Sequence, residues 1–281
     1  MKNFLVGTIA LVAFGTAAPA IAADMAVRPL AAPAAFSWTG CHVGGLVGYG
    51  SGHSDGYTAT GASTIATPGP DAVLPFAGQR RSNDFNLTGF TGGGDVGCDY
   101  QIEAWVVGIE GDWSNLNKEG QAFNAPGTTL PNALGLFNVT AYETQERWFA
   151  TARGRAGYAL DKYFFYVTGG AAWMKIDSSH FCLQCFNAAG APLGGAFFRN
   201  EFQSDRRSGW TVGVGAEYAL SHGWSVRSEY LYVSIPTYTT FTTPTGVGLS
   251  SQVNNLSTKL YDYIWRAGLT YKFGSYSAPA R

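Results

Sequence analysis

The chain has 281 residues, of which 18 are basic and 19 acidic; 13 % are charged, 15 % are aromatic and 37 are glycine. This near-neutral balance argues against nucleic acid as a partner, which calls for a basic surface. The glycine and aromatic content favours strands over helices.

The N-terminus reads as an export signal. Lys2 gives a basic start, Phe4 to Ala18 an apolar core, and Ala20-Ile21-Ala22 a small-x-small cleavage pattern. Residues 1–22 are therefore expected to be removed, leaving 17 basic against 19 acidic residues, a net charge of −2. The apolar stretch is short for a membrane helix, and no later stretch is long and apolar enough for one. All four cysteines lie in the exported part, where disulfides form. Residues 23–37, rich in Ala and Pro, read as an extended linker.

Eight strands follow. The first is Trp38–Gly50, with Cys41, Val43, Val47 and Tyr49 on its apolar face. Residues 51–86 form a long polar loop. The second runs over Leu87–Tyr100, with Phe90, Val96, Cys98 and Tyr100 on one face and Thr91, Asp95 and Asp99 on the other. After a short turn at 101–104, Trp105–Trp113 places Trp105, Val107, Ile109 and Trp113 opposite Glu110 and Asp112. Residues 115–145 are a second long loop. The hairpin from Trp148 to Trp173, turning at Asp161-Lys162, supplies strands four and five. Trp148, Ala150, Ala152, Gly154, Ala156 and Tyr158 lie on one face, and Arg153 and Arg155 on the other. Residues 177–208 form a third long loop. Strand six, Gly209–Leu220, has Trp210, Val212, Val214 and Tyr218 opposite Thr211 and Glu217. The turn 221–223 leads to strand seven, Trp224–Ile235, which carries Arg227 and Glu229. A fourth long loop, 236–260, precedes strand eight, Tyr261–Phe273. That strand sets Trp265, Leu269, Tyr271 and Phe273 opposite Arg266, Thr270 and Lys272.

Successive side chains of a strand point to opposite faces. Each strand thus has an apolar face of about ten residues bounded by aromatics. A membrane-spanning strand needs about 9–11 residues, and its lipid face is apolar between two aromatic girdles. The alternation also explains a mean hydropathy near zero. The connections alternate long and short, as in outer-membrane barrels with short periplasmic turns. Seven of the eight tryptophans fall on the outward parity near strand ends: Trp105, Trp113, Trp148, Trp173, Trp210, Trp224 and Trp265. With Phe273 they form the expected aromatic girdles, Trp38 standing at the rim. The reading is an all-β, eight-stranded antiparallel transmembrane β-barrel over residues 38–273, with a short tail at 274–281. A soluble sandwich or a soluble ligand-binding barrel would instead put the polar face in water.

The inward charges are Asp95, Asp99, Glu110, Asp112, Glu217 and Glu229 against Arg153, Arg155, Arg227, Arg266 and Lys272. Eight strands leave an interior just wide enough for side chains, and buried charges are tolerated when paired. A plugged, charge-paired lumen is expected, with Glu110 and Glu217 the leading partners of Arg153 and Arg155. Cys41 and Cys98 lie near the periplasmic ends of adjacent antiparallel strands, both outward. Opposed residues there have Cα atoms about 4.5–5.5 Å apart, within disulfide reach, so they are paired; the alternative is two reduced, lipid-facing small apolar residues. Cys182 and Cys185 are paired by default as a local loop disulfide.

Several motifs resemble chemistry. Residues 92–97 fit G-x-G-x-x-G, but they lie in a strand with no helix following, so close strand packing is expected. Cys182-Leu183-Gln184-Cys185 lacks the βαβ setting of a redox motif, and with His180 it is too small a set for a closed zinc site. Ser178, Ser179 and His180 stand where a rim-site enzyme would act, but serine is common in loops. Asn86, Asn138 and Asn255 begin glycosylation sequons that are accidental in a bacterial host. No catalytic residue, cofactor or metal is expected.

Seven stretches together resemble one family: Trp38-Thr39-Gly40, Val43-Gly44-Gly45, 92–94, 107–112, 152–158, 229–233 and 266–273. The chain is similar to the small outer-membrane immunogenic proteins of alpha-proteobacteria, porin-family barrels with an OmpA-like eight-stranded membrane domain. The resemblance implies an abundant surface protein of the cell outer membrane with structural and antigenic roles. It further implies contact with outer-membrane lipid, recognition of the last strand by the barrel-assembly machinery, and possible host or cell-surface contacts through the loops. In such proteins the final aromatic often ends the chain, whereas here residues 274–281 follow Phe273. The expected role is a structural, surface-exposed envelope barrel. The alternatives are a small channel for ions or small solutes and a rim-site lipid-modifying enzyme.

Overall fold

A computed structural model describes residues 36–59, 78, 80, 82–123, 139–184, 201–240 and 256–273, without the side chains of Thr140, 180–184, Glu201 and Thr240. The expected signal segment, nearly all of the linker, the C-terminal tail and the Cys182–Cys185 pair lie outside what is described.

Nine strands are present among these residues. They are β1 (Gly40–Ser54), β2 (Thr58–Ala59), β3 (Phe85–Ile102), β4 (Trp105–Phe123) and β5 (Val139–Leu160). After these come β6 (Tyr163–Gln184), β7 (Glu201–Ala219), β8 (Trp224–Thr240) and β9 (Leu256–Phe273). Each long strand pairs with the next, and β1 pairs with both β3 and β9, so eight strands close a ring. All pairings are antiparallel, and β2 adds two residues to the end of β9. The three short turns each contain a non-glycine residue with positive φ: Glu103, Asp161 and His222.

The outer wall is apolar over its lower half. Val47, Val96, Ile109, Val167 and Val214 are exposed there, Ile109 by 71 %. Trp105, Trp224 and Phe273 stand exposed toward the short-turn end, and Trp113, Trp173, Trp210 and Trp265 toward the other. Trp148 is half-buried on the same outer face. Side-chain parity throughout this band follows the pattern expected from sequence.

The strands run well past their expected ends. β4 continues ten residues beyond Trp113, and β5 begins nine residues before Trp148. Much of three predicted loops is therefore strand. The physical reason is an inversion of the alternation. Beyond the tryptophans, Asn115, Asn117, Glu119 and Gln121 face out while Leu116, Lys118 and Ala122 are buried. Period two persists, but its polar side now meets water. Two bulges keep the extended strands in phase. On β5, Glu146 and Phe149 both point in, leaving Arg147 and Trp148 outside. On β8, Pro236 and Thr237 are exposed between buried Ile235 and Tyr238, a position where proline's missing N–H costs no ladder bond.

The predicted polar loop 51–86 also needs correction. Tyr57 turns into the barrel and is fully buried. Its hydroxyl lies 2.6 Å from Thr144 Oγ1 and donates to Ser178 Oγ at 3.4 Å. Trp38, expected at the rim, is likewise buried at 3 % exposure, with its ring 5.2 Å from Phe164. It stoppers the short-turn end, in keeping with its place as the one tryptophan off the outward parity.

Candidate functional site: the barrel lumen

The lumen has three storeys. At the short-turn end Trp38, Val106, Ala159, Phe164, Tyr166 and Ala219 form an apolar plug, with Phe36 packed against it. Trp38 N donates to Gln101 Oε1 at 2.7 Å, fixing the incoming chain. Lys272, expected within the charge cluster, lies at this end. Its ammonium donates to the Ser37 carbonyl and sits 4.4 Å over the Phe36 ring.

Above the plug is a dense ion network, and the structure brings the other ten predicted inward charges together in it. Arg155 donates through Nε to Asp99 Oδ1 and through Nη1 to Glu217 Oε1, both at 2.7 Å, and reaches Glu110 Oε2 at 3.3 Å. Its guanidinium also lies 5.5 Å and 5.3 Å from the ring centroids of Phe164 and Tyr166. Arg153 pairs with Glu110, with Asp112 at 3.0 Å and with Glu229 at 2.8 Å. Arg266 grips both oxygens of Asp112, at 2.9 and 3.0 Å, and Glu229 at 2.7 Å. Arg227 pairs with Glu110 and with Asp95 at 2.7 Å. Each guanidinium thus serves at least two carboxylates, the forked geometry that arginine suits and lysine does not.

His42 belongs to this storey, a placement that reading the histidines as scattered misses. Its Nδ1 lies 3.4 Å from Asp99, and its Nε2 lies 3.6 Å from Asp95 and 3.5 Å from Glu110. The signal was available: His42 stands between outward Cys41 and Val43, so its parity is inward. Glycine makes the space. A Cβ at Gly97 would come within 2.7 Å of His42 Cε1, and one at Gly108 within 2.0 Å of Asp99 Oδ1.

Three carboxylate-imidazole atoms here, from His42, Asp95 and Glu110, are close enough to hold a cation. The donor set argues against one. Arg227 already occupies both Asp95 and Glu110, and a second cation would face its charge at contact distance.

The outer storey is apolar, built from residues such as Leu87, Leu116, Phe149, Met174, Ile176, Leu231, Leu260 and Ile264 around Tyr57. Inside it lies one ion triad that the sequence reading does not contain. Lys118 Nζ is 2.5 Å from Glu146 Oε2 and also pairs with Asp262, and all three side chains are essentially inaccessible. Lys118 sits in a stretch expected to be loop, Glu146 falls between an expected loop and strand, and Asp262 lies unremarked on the inward parity of the last strand.

On the wall, Cys41 and Cys98 stand directly opposite each other on β1 and β3 and are joined by a disulfide. Their Cα atoms are 3.9 Å apart, closer than the expected spacing. Residues 92–97 lie wholly within β3, so the glycine motif there opens no helix. Ser178 is buried against Tyr57, and the side chains of His180 and Cys182 lie outside the described residues.

Comparison with known proteins agrees with this architecture. The chain is 33 % identical over 283 aligned positions to the 31 kDa outer-membrane immunogenic protein of Brucella melitensis, covering 97 % of this chain and all of that one. It is 25 % identical to the 25 kDa outer-membrane immunogenic protein of Brucella canis, over 83 % of this chain and 84 % of the relative. Among solved structures, the outer membrane protease OmpT from Escherichia coli aligns with a TM-score of 0.47 at 11 % identity, covering 85 % of this chain and 98 % of that one; a likeness that weak says nothing about activity here. The family model described as the outer membrane protein beta-barrel domain matches residues 8–273. With a closed eight-stranded ring, an apolar wall and that match, the chain belongs to the outer membrane protein β-barrel family and is a protein of the cell outer membrane.

Proposed function

We propose that this chain is a structural, surface-exposed envelope barrel whose lumen is closed and whose outer segments act as antigenic surface, without catalytic activity. One observation supports the reading: among the described residues, side chains fill the lumen from the Trp38 plug through the ion network to the apolar storey. The cavity left among Trp38, His42, Asp99, Arg155 and Lys272 is about 10 Å³, room for about one water. The ion network occupies the middle, and the apolar storey packs above it among the described residues, which supports a closed lumen. The immunogenic relatives support the antigenic role by their names. We further assign contact with the barrel-assembly machinery to β9, which ends on the exposed aromatic Phe273, and contact with host or cell surfaces to the outer connections.

Planar-bilayer recording with the purified full-length protein tests the closed lumen. The expected result is a quiet baseline with at most rare, small events. Large, stable conductance steps would overturn it. A narrow wet thread is the second reading, and a specific feature favours it. Among the described residues, His42 Nε2, Thr91 Oγ1, Thr270 Oγ1 and Asp95 Oδ2 are buried without a hydrogen-bond partner. Buried polar atoms of this kind commonly hold water. Small proton-selective currents without solute passage would favour that thread over the closed scaffold.

A further inference from the structure

The outward faces of β5, β6 and β7 carry a feature that neither the lumen nor the fold requires. Trp148 on β5 is paired with Lys175 on β6, which is paired with Arg206 on β7. All three lie on the outer wall. The β5 bulge adds Arg147 beside them, its side chain half exposed. Two residues closer to the short-turn end is the row Trp113, Ala150, Trp173 and Ser208. The bases therefore stand one step outside the tryptophans, on the side away from the short turns.

That step fixes their depth. Tryptophan rings sit at the headgroup boundary, so side chains one row further out reach the headgroups themselves. Asp177 engages Arg147 at 2.8 Å. Arg206 lies 5.9 Å over the Trp148 ring. Among the described residues, neither Lys175 nor Arg206 is in an ion pair. Glu143 also faces outward but stands further from the membrane, paired with Ser179, whereas Glu119 shares the row of Asp177 through Gln145, two strands away on β4. Counting Arg147, Lys175 and Arg206 against Asp177 and Glu119 one row out, the patch keeps a net positive charge where it meets the lipid. On the opposite wall, β9 presents Lys259 alone, stacked on Tyr261.

We propose that Lys175 and Arg206, flanked by Arg147 and Trp148, form a binding site for the phosphates of a phosphorylated lipid of the outer leaflet. The occupant follows from charge and place. Two unpaired cations on adjacent strands, at headgroup depth and beside an aromatic platform, complement a lipid phosphate with acyl chains lying along Trp113 and Trp173. The generic alternative is that each base only reaches independently to the interface, as long basic side chains do. A site differs from that in being selective and local. The inference rests on the barrel's place in the outer membrane and is independent of whether the lumen conducts.

The test uses full-length protein in nanodiscs doped with diphosphoryl lipid A or its phosphate-free counterpart, with retained lipid read by native mass spectrometry. Wild-type protein is expected to retain the diphosphoryl form at least about tenfold more than the phosphate-free form, the scale set by two surface bases. Lys175→Gln with Arg206→Gln should abolish that preference while leaving the heat-modifiable gel shift unchanged. Lys175→Arg should keep it, and Lys259→Gln on the far wall should not affect it. Equal retention of the two lipids by the wild type overturns the proposal, whatever the variants do. So does equal loss on Lys259→Gln, which would mean non-selective charge. Displacement of the lipid by inorganic phosphate in excess would mean that the row reads free phosphate and not lipid, and overturns it too.

Discussion

The middle and outer storeys of the lumen solve the same problem, filling a narrow cylinder, in opposite ways. The middle storey is almost all charge. Four arginines and six carboxylates interlock so that Glu110 touches Arg153, Arg155 and Arg227, and Asp112 touches Arg153 and Arg266. The outer storey is almost all apolar, with one lysine between two carboxylates. Redundancy is the difference. A carboxylate in the network that loses one arginine usually keeps another. Glu146 and Asp262 share a single cation, and nothing apolar around them can replace it. Burial alone therefore does not rank these charges; the number of alternative partners does.

Removal of Lys118 should have the largest effect. Lys118→Met leaves two carboxylates in an apolar core, and breaking a buried pair costs about 3–5 kcal/mol. The temperature at which the barrel loses its heat-modifiable gel mobility should fall accordingly. Replacing all three members together (Lys118→Met, Glu146→Leu, Asp262→Leu) should restore most of it, since an apolar isostere of a buried ion set is often neutral or stabilising. If the triple variant is no more stable than Lys118→Met, the outer storey is not the dry core described.

Arg153→Ala probes the network. It strips one guanidinium from Glu110, Asp112 and Glu229, but each of these keeps a second arginine. The loss should fall at or below about 3 kcal/mol, the low end for a buried pair, and below that of Lys118→Met. Equal or greater loss would reverse the comparison. An unchanged transition for Arg153, Arg155, Arg227 and Arg266 alike would mean a wet lumen.

The Cys41–Cys98 disulfide lies on the wall, outside both storeys. Cys41→Ala with Cys98→Ala should cost about 2 kcal/mol, the low end for a native disulfide, because the β1–β3 ladder already holds the two residues opposite each other. Non-reducing peptide mapping should recover the Cys41–Cys98 cross-link in the wild type. A link from either residue to Cys182 or Cys185 would contradict the β1–β3 register. The smallest effect should come from Tyr57→Phe. It removes a hydroxyl from the outer storey and leaves Thr144 and Ser178 to each other, a change of about 1 kcal/mol. Hydrogen exchange should then speed up only at the outer ends of β5 and β6.

How much of this was legible from sequence depends on which physical rule governs each part. Within the membrane band, alternation and the lipid's demand for an apolar wall act on every residue, so strand identity, facing and the Cys41–Cys98 register could be read directly. The inward set from Asp95 to Arg266 followed from parity alone. His42 followed the same rule but was masked by expecting histidine to signal chemistry. Beyond the tryptophans the solvent changes from lipid to water, and the same period-two pattern flips its sign. A reader looking for apolar-outward strands stops there, which is why 115–123 and 139–145 read as loop and why Lys118 and Glu146 do not stand out.

The sequence by itself determined the period, the span and the facing of each membrane strand, because those are set one residue at a time by the medium outside. Only the closed tertiary structure decided the contents of the lumen: which arginine meets which carboxylate, that Trp38 stoppers one end and Tyr57 enters the other, and that Lys118, Glu146 and Asp262 meet across three strands. Those contacts depend on closure of β1 onto β9 and on the stagger of eight strands around the ring. No local pattern in the chain encodes the distance between residues that only the closed cylinder brings face to face.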